Sequence, residues 1–194
     1  MAITYTARGS GTNNTSNTSF TLNSATNFTA GSTAVLTIAS DNSAGAGSSF
    51  NTVTDTLGNT WTAANGNVYN VGGANSGVQG IVFYTAMNGG TIQTTTTITV
   101  SFSSTTTAKA WTLSQLAPGA GNQVSFRSVS GQFSAGASTT TPTLTYTNVT
   151  NGDCIVAGTF NEYGTTQSVT QDSDATSGTW TTQQTTAVGT TSAG

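Results

Sequence analysis

The stretch TTTTITVSFSS, Thr94–Ser104, places Ile98, Val100 and Phe102 at every second position and Thr97, Thr99 and Ser101 between them. A period of two sends the apolar side chains to one face of a strand and the hydroxyls to the other. The stretch therefore reads as a half-buried strand with one wet face. PTLTYTN (142–148) repeats the pattern, with Leu144 and Tyr146 inward. TAVLTIAS (33–40), VQGIVFYTAM (78–87) and CIVAGTF (154–160) are apolar on both faces, as expected of central or covered strands. AKAWTLSQL (108–116) and VSFRSVSGQF (124–133) complete the set. Turn signals separate them: Gly58-Asn59, Asn65-Gly66, Asn88-Gly89-Gly90, Pro118-Gly119 and Asn151-Gly152. No stretch carries the i, i+3, i+4, i+7 spacing of a helix. Closely spaced strands with no helix between them predict an all-β, antiparallel sandwich or barrel.

TVTDTLGNTWTAANG (52–66) has an echo in SVTQDSDATSGTWTTQQ (168–184). Each copy reads as a buried strand, a connection, and a hairpin whose second arm carries a tryptophan. Trp61 and Trp180 would cover equivalent ends of the core, each indole N–H reaching a backbone carbonyl or water. Two matching halves, about 30–117 and 124–194, would then face each other in one pseudo-symmetric jelly-roll sandwich spanning 30–194. Residues 1–29 are rich in Asn, Ser and Thr, with ITYTA and SFTL as their only strand-like runs, and read as an N-terminal arm or edge strand. The last residues, VGTTSAG, lack the apolar strand pair that follows the first tryptophan. This predicts an open edge near 178–190, covered foremost by the arm of residues 1–29 from a neighbouring subunit, with ITYTARG (3–9) of the same chain or further residues of a longer product as the alternatives.

Charged residues make up only 5 % of the 194, three Lys and Arg against six Asp and Glu, and the commonest residue is Thr. Thr is β-branched and suits a pleated, half-exposed surface, so the surface is expected to be neutral and covered by hydroxyls and amides. Nucleic acid is excluded as a partner because neutralising phosphates needs more than Arg8, Lys109 and Arg127. A membrane role is not expected, since no run approaches the ~20 apolar residues of a spanning helix. The start, MAITYTARGSG, has no charged segment followed by an apolar one, so no secretory signal is read there. Cys154 stands alone, which leaves no disulfide framework.

Catalytic constellations are scarce. With no histidine, Ser-His-Asp, Cys-His and His-metal sites are excluded within this chain. Cys154, beside Ile155 and Val156, reads as a buried small hydrophobe. Asp172 and Asp174 could offer oxygens to calcium, but lack the spacing and distal Glu of a calcium loop, and read as a solvated turn. Asp55 is expected to bond backbone N–H groups of its own turn. Asp153 and Glu162 are candidates for a glycosidase-type pair, which would need two carboxylates flanking a substrate cleft. Lys109 with a nearby Asn and acid could form an intramolecular isopeptide crosslink, although an exposed strand-edge lysine is the plainer expectation. Trp61, Tyr69, Tyr84 and Tyr163 are candidates for stacking on sugars, against the plainer expectation that each is core or rim. No catalytic, metal or cofactor-binding residue is assigned from the sequence.

The runs FTAGSTAVLTIAS, VTDTLGNTWTAA, VFYTAMNGGTIQTTTTITVSFS, GDCIVAGTF and SGTWTTQQ, after the opening MAITYTARGSG, resemble a broad group of β-sandwich proteins of tailed phages and some bacterial surface proteins. The chain departs from that pattern at Gly31-Ser32-Thr33, where relatives usually have Gly-Asp, and at SQLAPGAG (114–121), where they often carry an acidic-aromatic element. The resemblance implies a non-enzymatic virion component, foremost a capsid decoration (cement) protein made in the host cytoplasm. Its partners would be subunits of the same assembly, a major capsid protein or copies of itself as a homo-oligomer. Alternative expectations are a carbohydrate-binding or adhesive module of a tail fibre or bacterial surface, and a subunit of an extracellular filament.

Overall fold

The computed structural model describes residues 3–41, 50–64, 69–70, 78–126, 154, 156, 160–161, 186–188 and 191–193. Strands β1 (Thr4–Asn13), β2 (Asn17–Asn23), β3 (Thr33–Asp41), β4 (Phe50–Asp55), β5 (Thr62–Ala63), β6 (Tyr69–Asn70), β7 (Val78–Thr85), β8 (Thr97–Thr106) and β9 (Lys109–Ala117) form two antiparallel sheets packed face to face. The larger sheet runs β1-β9-β3-β7-β5, with β6 also on β7; the smaller runs β2-β8-β4. The alternation of Thr97–Phe102 behaves as its period demands. Ile98 and Val100 are wholly buried and Phe102 nearly so, while Thr97, Thr99 and Ser101 stay in contact with water.

Register explains how the core is filled. On the inner face of the larger sheet one rung sets Phe83, Leu36, Leu113 and Gly9 side by side, and the next sets Ile81, Ile38, Trp111 and Gly11. Opposite them the smaller sheet presents Leu22 and Ile98, then Phe20, Val100 and Val53, then Phe50 and Phe102. Gly11 leaves room for the indole beside it: a Cβ there would stand 2.8 Å from Cζ2 of Trp111, and the ring would have to shift. The two-glycine gap in β1 thus seats the ring that closes one side of the sandwich.

Residues 4–23 take the edge-strand alternative, supplying one edge strand to each sheet, so the two sheets include residues before 30. Among the described residues, both facing sheets are built from strands of residues 4–117. Finally, β4 and β5 do not form a hairpin. β4 pairs with β8 in one sheet and β5 with β7 in the other, so the chain crosses the sandwich between Asp55 and Thr62. The physical reason is burial: β4 and β5 each gain a longer, more apolar partner than they could offer one another.

Short strands β10 (Phe160–Asn161), β11 (Thr186–Val188) and β12 (Thr191–Ala193) pair antiparallel in the order β10-β12-β11. Residues 186–188 are therefore paired within their own chain. Residues 124–126, expected to open a strand, form none. Cys154 is exposed instead of buried, while partial desolvation of its sulfur pushes the thiol pKa above the ordinary value. The strands expected at 127–133 and 142–148, and most of 154–160, lie outside the described residues, as does Trp180.

Candidate functional site

Four charged side chains fall among the described residues, and each is engaged inside the fold. Asp55 ends β4 at an inward position opposite Ile98. Its Oδ1 accepts the backbone N–H groups of Leu57 (2.9 Å) and Asn59 (3.1 Å), the turn expected from the sequence. Its Oδ2 accepts the indole N–H of Trp61 at 2.8 Å and the amide of Asn59 at 2.9 Å. The indole partner is thus a carboxylate and not the carbonyl or water anticipated, and the half-buried ring packs on the core.

Asn59 extends this clasp to a second loop. Its Oδ1 accepts the N–H groups of Gly89 (2.7 Å) and Gly90 (3.0 Å), while its Nδ2 also donates to the Gly90 carbonyl at 3.0 Å. Asn88 answers from the other side: its Oδ1 accepts the Thr60 N–H at 2.9 Å and its Nδ2 donates to Thr60 Oγ1 at 3.3 Å. Gly89 is needed for the approach, since a Cβ there would meet the Leu57 carbonyl oxygen at 2.5 Å. Loops 56–61 and 86–92 are therefore one hydrogen-bonded unit.

Lys109 corrects the expectation of an exposed edge lysine, being wholly buried. It sits on the next inner rung, where Gln79, Ser40, Lys109 and Asn13 lie side by side. Its Nζ donates to the carbonyls of Thr106 (2.7 Å), Thr15 (2.8 Å) and Thr107 (3.1 Å), and lies 5.9 Å from the centre of the Phe102 ring. Three acceptors match the three donors of an ammonium. Burial pulls its pKa below the usual lysine range, and the Asp41 carboxylate opposes that shift. With its donors committed to main-chain carbonyls, the amine is held as a tie between chain segments, which disfavours the crosslinking role. Asp41 in turn accepts the Ala108 N–H at 3.0 Å, closing the turn before Lys109.

Arg8 stands at the register shift in β1 and donates to Thr26 Oγ1 (2.8 Å) and Gln115 Oε1 (2.6 Å), with its guanidinium 5.3 Å from the centre of the Phe28 ring. Gln115 Oε1 also accepts the Thr29 N–H at 2.8 Å, so this group anchors the connection from β2 to β3.

Among the described residues, what remains outward is uncharged. On the wet face of the smaller sheet, Thr21, Thr99 and Thr54 form one rung and Ser19, Ser101 and Thr52 another. On the larger sheet Tyr84 stacks on Phe126, their ring centres 4.2 Å apart and planes 15° apart, and Phe126 is 47 % exposed. Among the sugar-stacking candidates, Tyr84 is therefore paired and Trp61 is tied to Asp55. Tyr69 lies in β6 and its side chain is not described; Tyr163 lies outside the described residues, as do Asp153, Glu162, Asp172, Asp174 and Arg127. Among the described residues no three His, Cys, Asp or Glu side chains stand together to hold a metal, and no helix is long and apolar enough to cross a membrane.

The sequence reading missed the clasp residues Asn59 and Asn88 and the burial of Lys109. A signal for the first was present: Asp55, Asn59 and Trp61 follow one another at intervals of four and two within a glycine turn. For the second, the flanking Ala108, Ala110 and Trp111 marked a strand with little solvent. Compared with known proteins, the chain matches no family model, no curated protein and no solved structure.

Proposed function

We propose that this chain is a structural, non-enzymatic building block of a virion, foremost a capsid decoration subunit of a tailed phage, with a sandwich of jelly-roll type. The observation that supports it is the use of charge: Arg8, Asp41, Asp55 and Lys109 all tie the fold internally, while the β2-β8-β4 face offers only hydroxyls and amides. A face of this kind suits many weak, salt-insensitive contacts with a repeating protein lattice, because it has no charge to screen. It suits neither phosphate binding nor proton transfer, which need free charged groups. The partners in this reading are the shell subunit and further copies of this chain.

The test is proteomic and structural. Particles purified from a lysate of cells producing the chain should hold it at a fixed ratio to the shell subunit. Replacing Thr54 and Thr99 with Lys should leave the chain folded and absent from particles. Particles lacking the wild-type chain would refute the assignment.

A carbohydrate-binding module is the second reading, favoured by the exposed Phe126 ring stacked on Tyr84. An aromatic face of this kind can receive the C–H face of a sugar. Glycan-array binding that disappears in Phe126→Ala would establish it over the first.

A further inference from the structure

We propose that the Asn88-Gly89 step is a latent deamidation site, held shut by Asn59 and Thr60 and released when the clasp between loops 56–61 and 86–92 opens. Three Asn-Gly steps occur in the chain, at 65, 88 and 151. Such a step is chemically weak because glycine has no side chain to hinder its own nitrogen. In the reaction the Gly89 nitrogen loses its proton to solvent base and attacks Cγ of Asn88. The new N–C bond closes a five-membered imide, the Cγ–Nδ2 bond breaks, and ammonia leaves with a proton from water. Water then opens the imide at either carbonyl to give aspartate or isoaspartate.

Asn88 and Gly89 are both exposed, so base and water reach them freely. What opposes the reaction is bonding. The Gly89 N–H that must be lost is held by Asn59 Oδ1 at 2.7 Å. The Asn88 carboxamide that must turn toward that nitrogen is held at both ends by Thr60, through Oδ1 at 2.9 Å and Nδ2 at 3.3 Å. Asn59 is itself fixed by both oxygens of Asp55. Attack therefore requires the clasp to open first, and the rate is scaled down by the small open fraction. Isoaspartate adds a methylene to the main chain, so the clasp cannot close over the product. Each event leaves a permanent mark of an opening, and adds one negative charge to a chain of net charge −3.

The experiment incubates the full chain in mildly alkaline buffer, folded and in concentrated urea, and follows all three Asn-Gly steps by peptide mass mapping. In urea the three should convert at similar rates. In the folded chain Asn88 should convert at least about tenfold more slowly than in urea. Asn59→Ala, shown folded by circular dichroism, should accelerate Asn88 conversion several-fold. Folded wild type converting Asn88 within about twofold of the urea rate overturns the proposal, as does a folded Asn59→Ala with an unchanged rate. If Asn59→Ala does not fold, the wild-type comparison alone decides.

Discussion

The carboxylate of Asp55 accepts the indole N–H of Trp61 at 2.8 Å, and this bond joins the two sheets: Asp55 ends β4 in one, and Trp61 precedes β5 in the other. The chain crosses the sandwich in the six residues between β4 and β5, and the carboxylate serves four donors along the way. Asp55→Ala leaves the indole and the turn N–H groups without their acceptor and should cost about 3 kcal/mol. Trp61→Phe keeps an aromatic ring but loses the indole N–H and the five-membered ring, which should cost about 1–2 kcal/mol. Urea unfolding of the two variants checks the order; equal losses would mean that ring packing, not the bond, is what matters.

Gly89→Ala should destabilise by about 2 kcal/mol or more, because its new Cβ would meet main-chain atoms of Leu57 and Gly58 that no side-chain rotation can move. Gly11→Ala meets only the indole of Trp111, a side chain that can turn aside. Its loss should be smaller and accompanied by a change in tryptophan fluorescence. A Gly89→Ala melting temperature equal to wild type would disprove the close approach of the loops.

Ile98→Ala should cost about 3 kcal/mol, the usual range for a large aliphatic side chain removed from a packed core. Thr99→Ala, one residue along on the wet face, should stay within about 0.5 kcal/mol of wild type. Chemical denaturation of the pair measures the alternation directly, and comparable losses would contradict it.

Lys109→Met leaves the buried carbonyl of Thr106 and the part-buried carbonyls of Thr15 and Thr107 without their donor and should cost about 2 kcal/mol. The pH dependence has a definite sign. Burial lowers the folded pKa of Lys109 below 10.5, so in the window between the two values the unfolded chain binds more protons than the folded one. The cost of burying the charge is fully present below the folded pKa and fades as pH rises to the unfolded one. Wild type should therefore gain stability relative to Lys109→Met across that window. Denaturation midpoints of both proteins at stepped alkaline pH give the slope, and a relative loss on raising pH would show that the shift has the opposite direction.

The sequence by itself determined the class of fold and most of the strands of the first 117 residues. The alternation in Thr97–Phe102 and the two-faced apolar runs at 33–40 and 78–87 each form a strand with the burial their pattern requires. A period-two pattern is a local property, so it survives without knowledge of partners. The turn chemistry of Asp55 was legible for the same reason, since its backbone donors lie within four residues. Partner choice was not local. Only the tertiary structure assigned β4 and β5 to different sheets, chose the edge-strand alternative over the arm for residues 4–23, and built the two described layers from residues 4–117. It alone buried Lys109: the carbonyls of Thr106 and Thr107 lie in the turn just before it, but that of Thr15 and the Phe102 ring are brought to its ammonium only by the packed sheets. Asn59 and Asn88 belong to the same category: each is an ordinary turn residue in sequence, and their complementarity exists only where two loops, some thirty residues apart, are placed in contact.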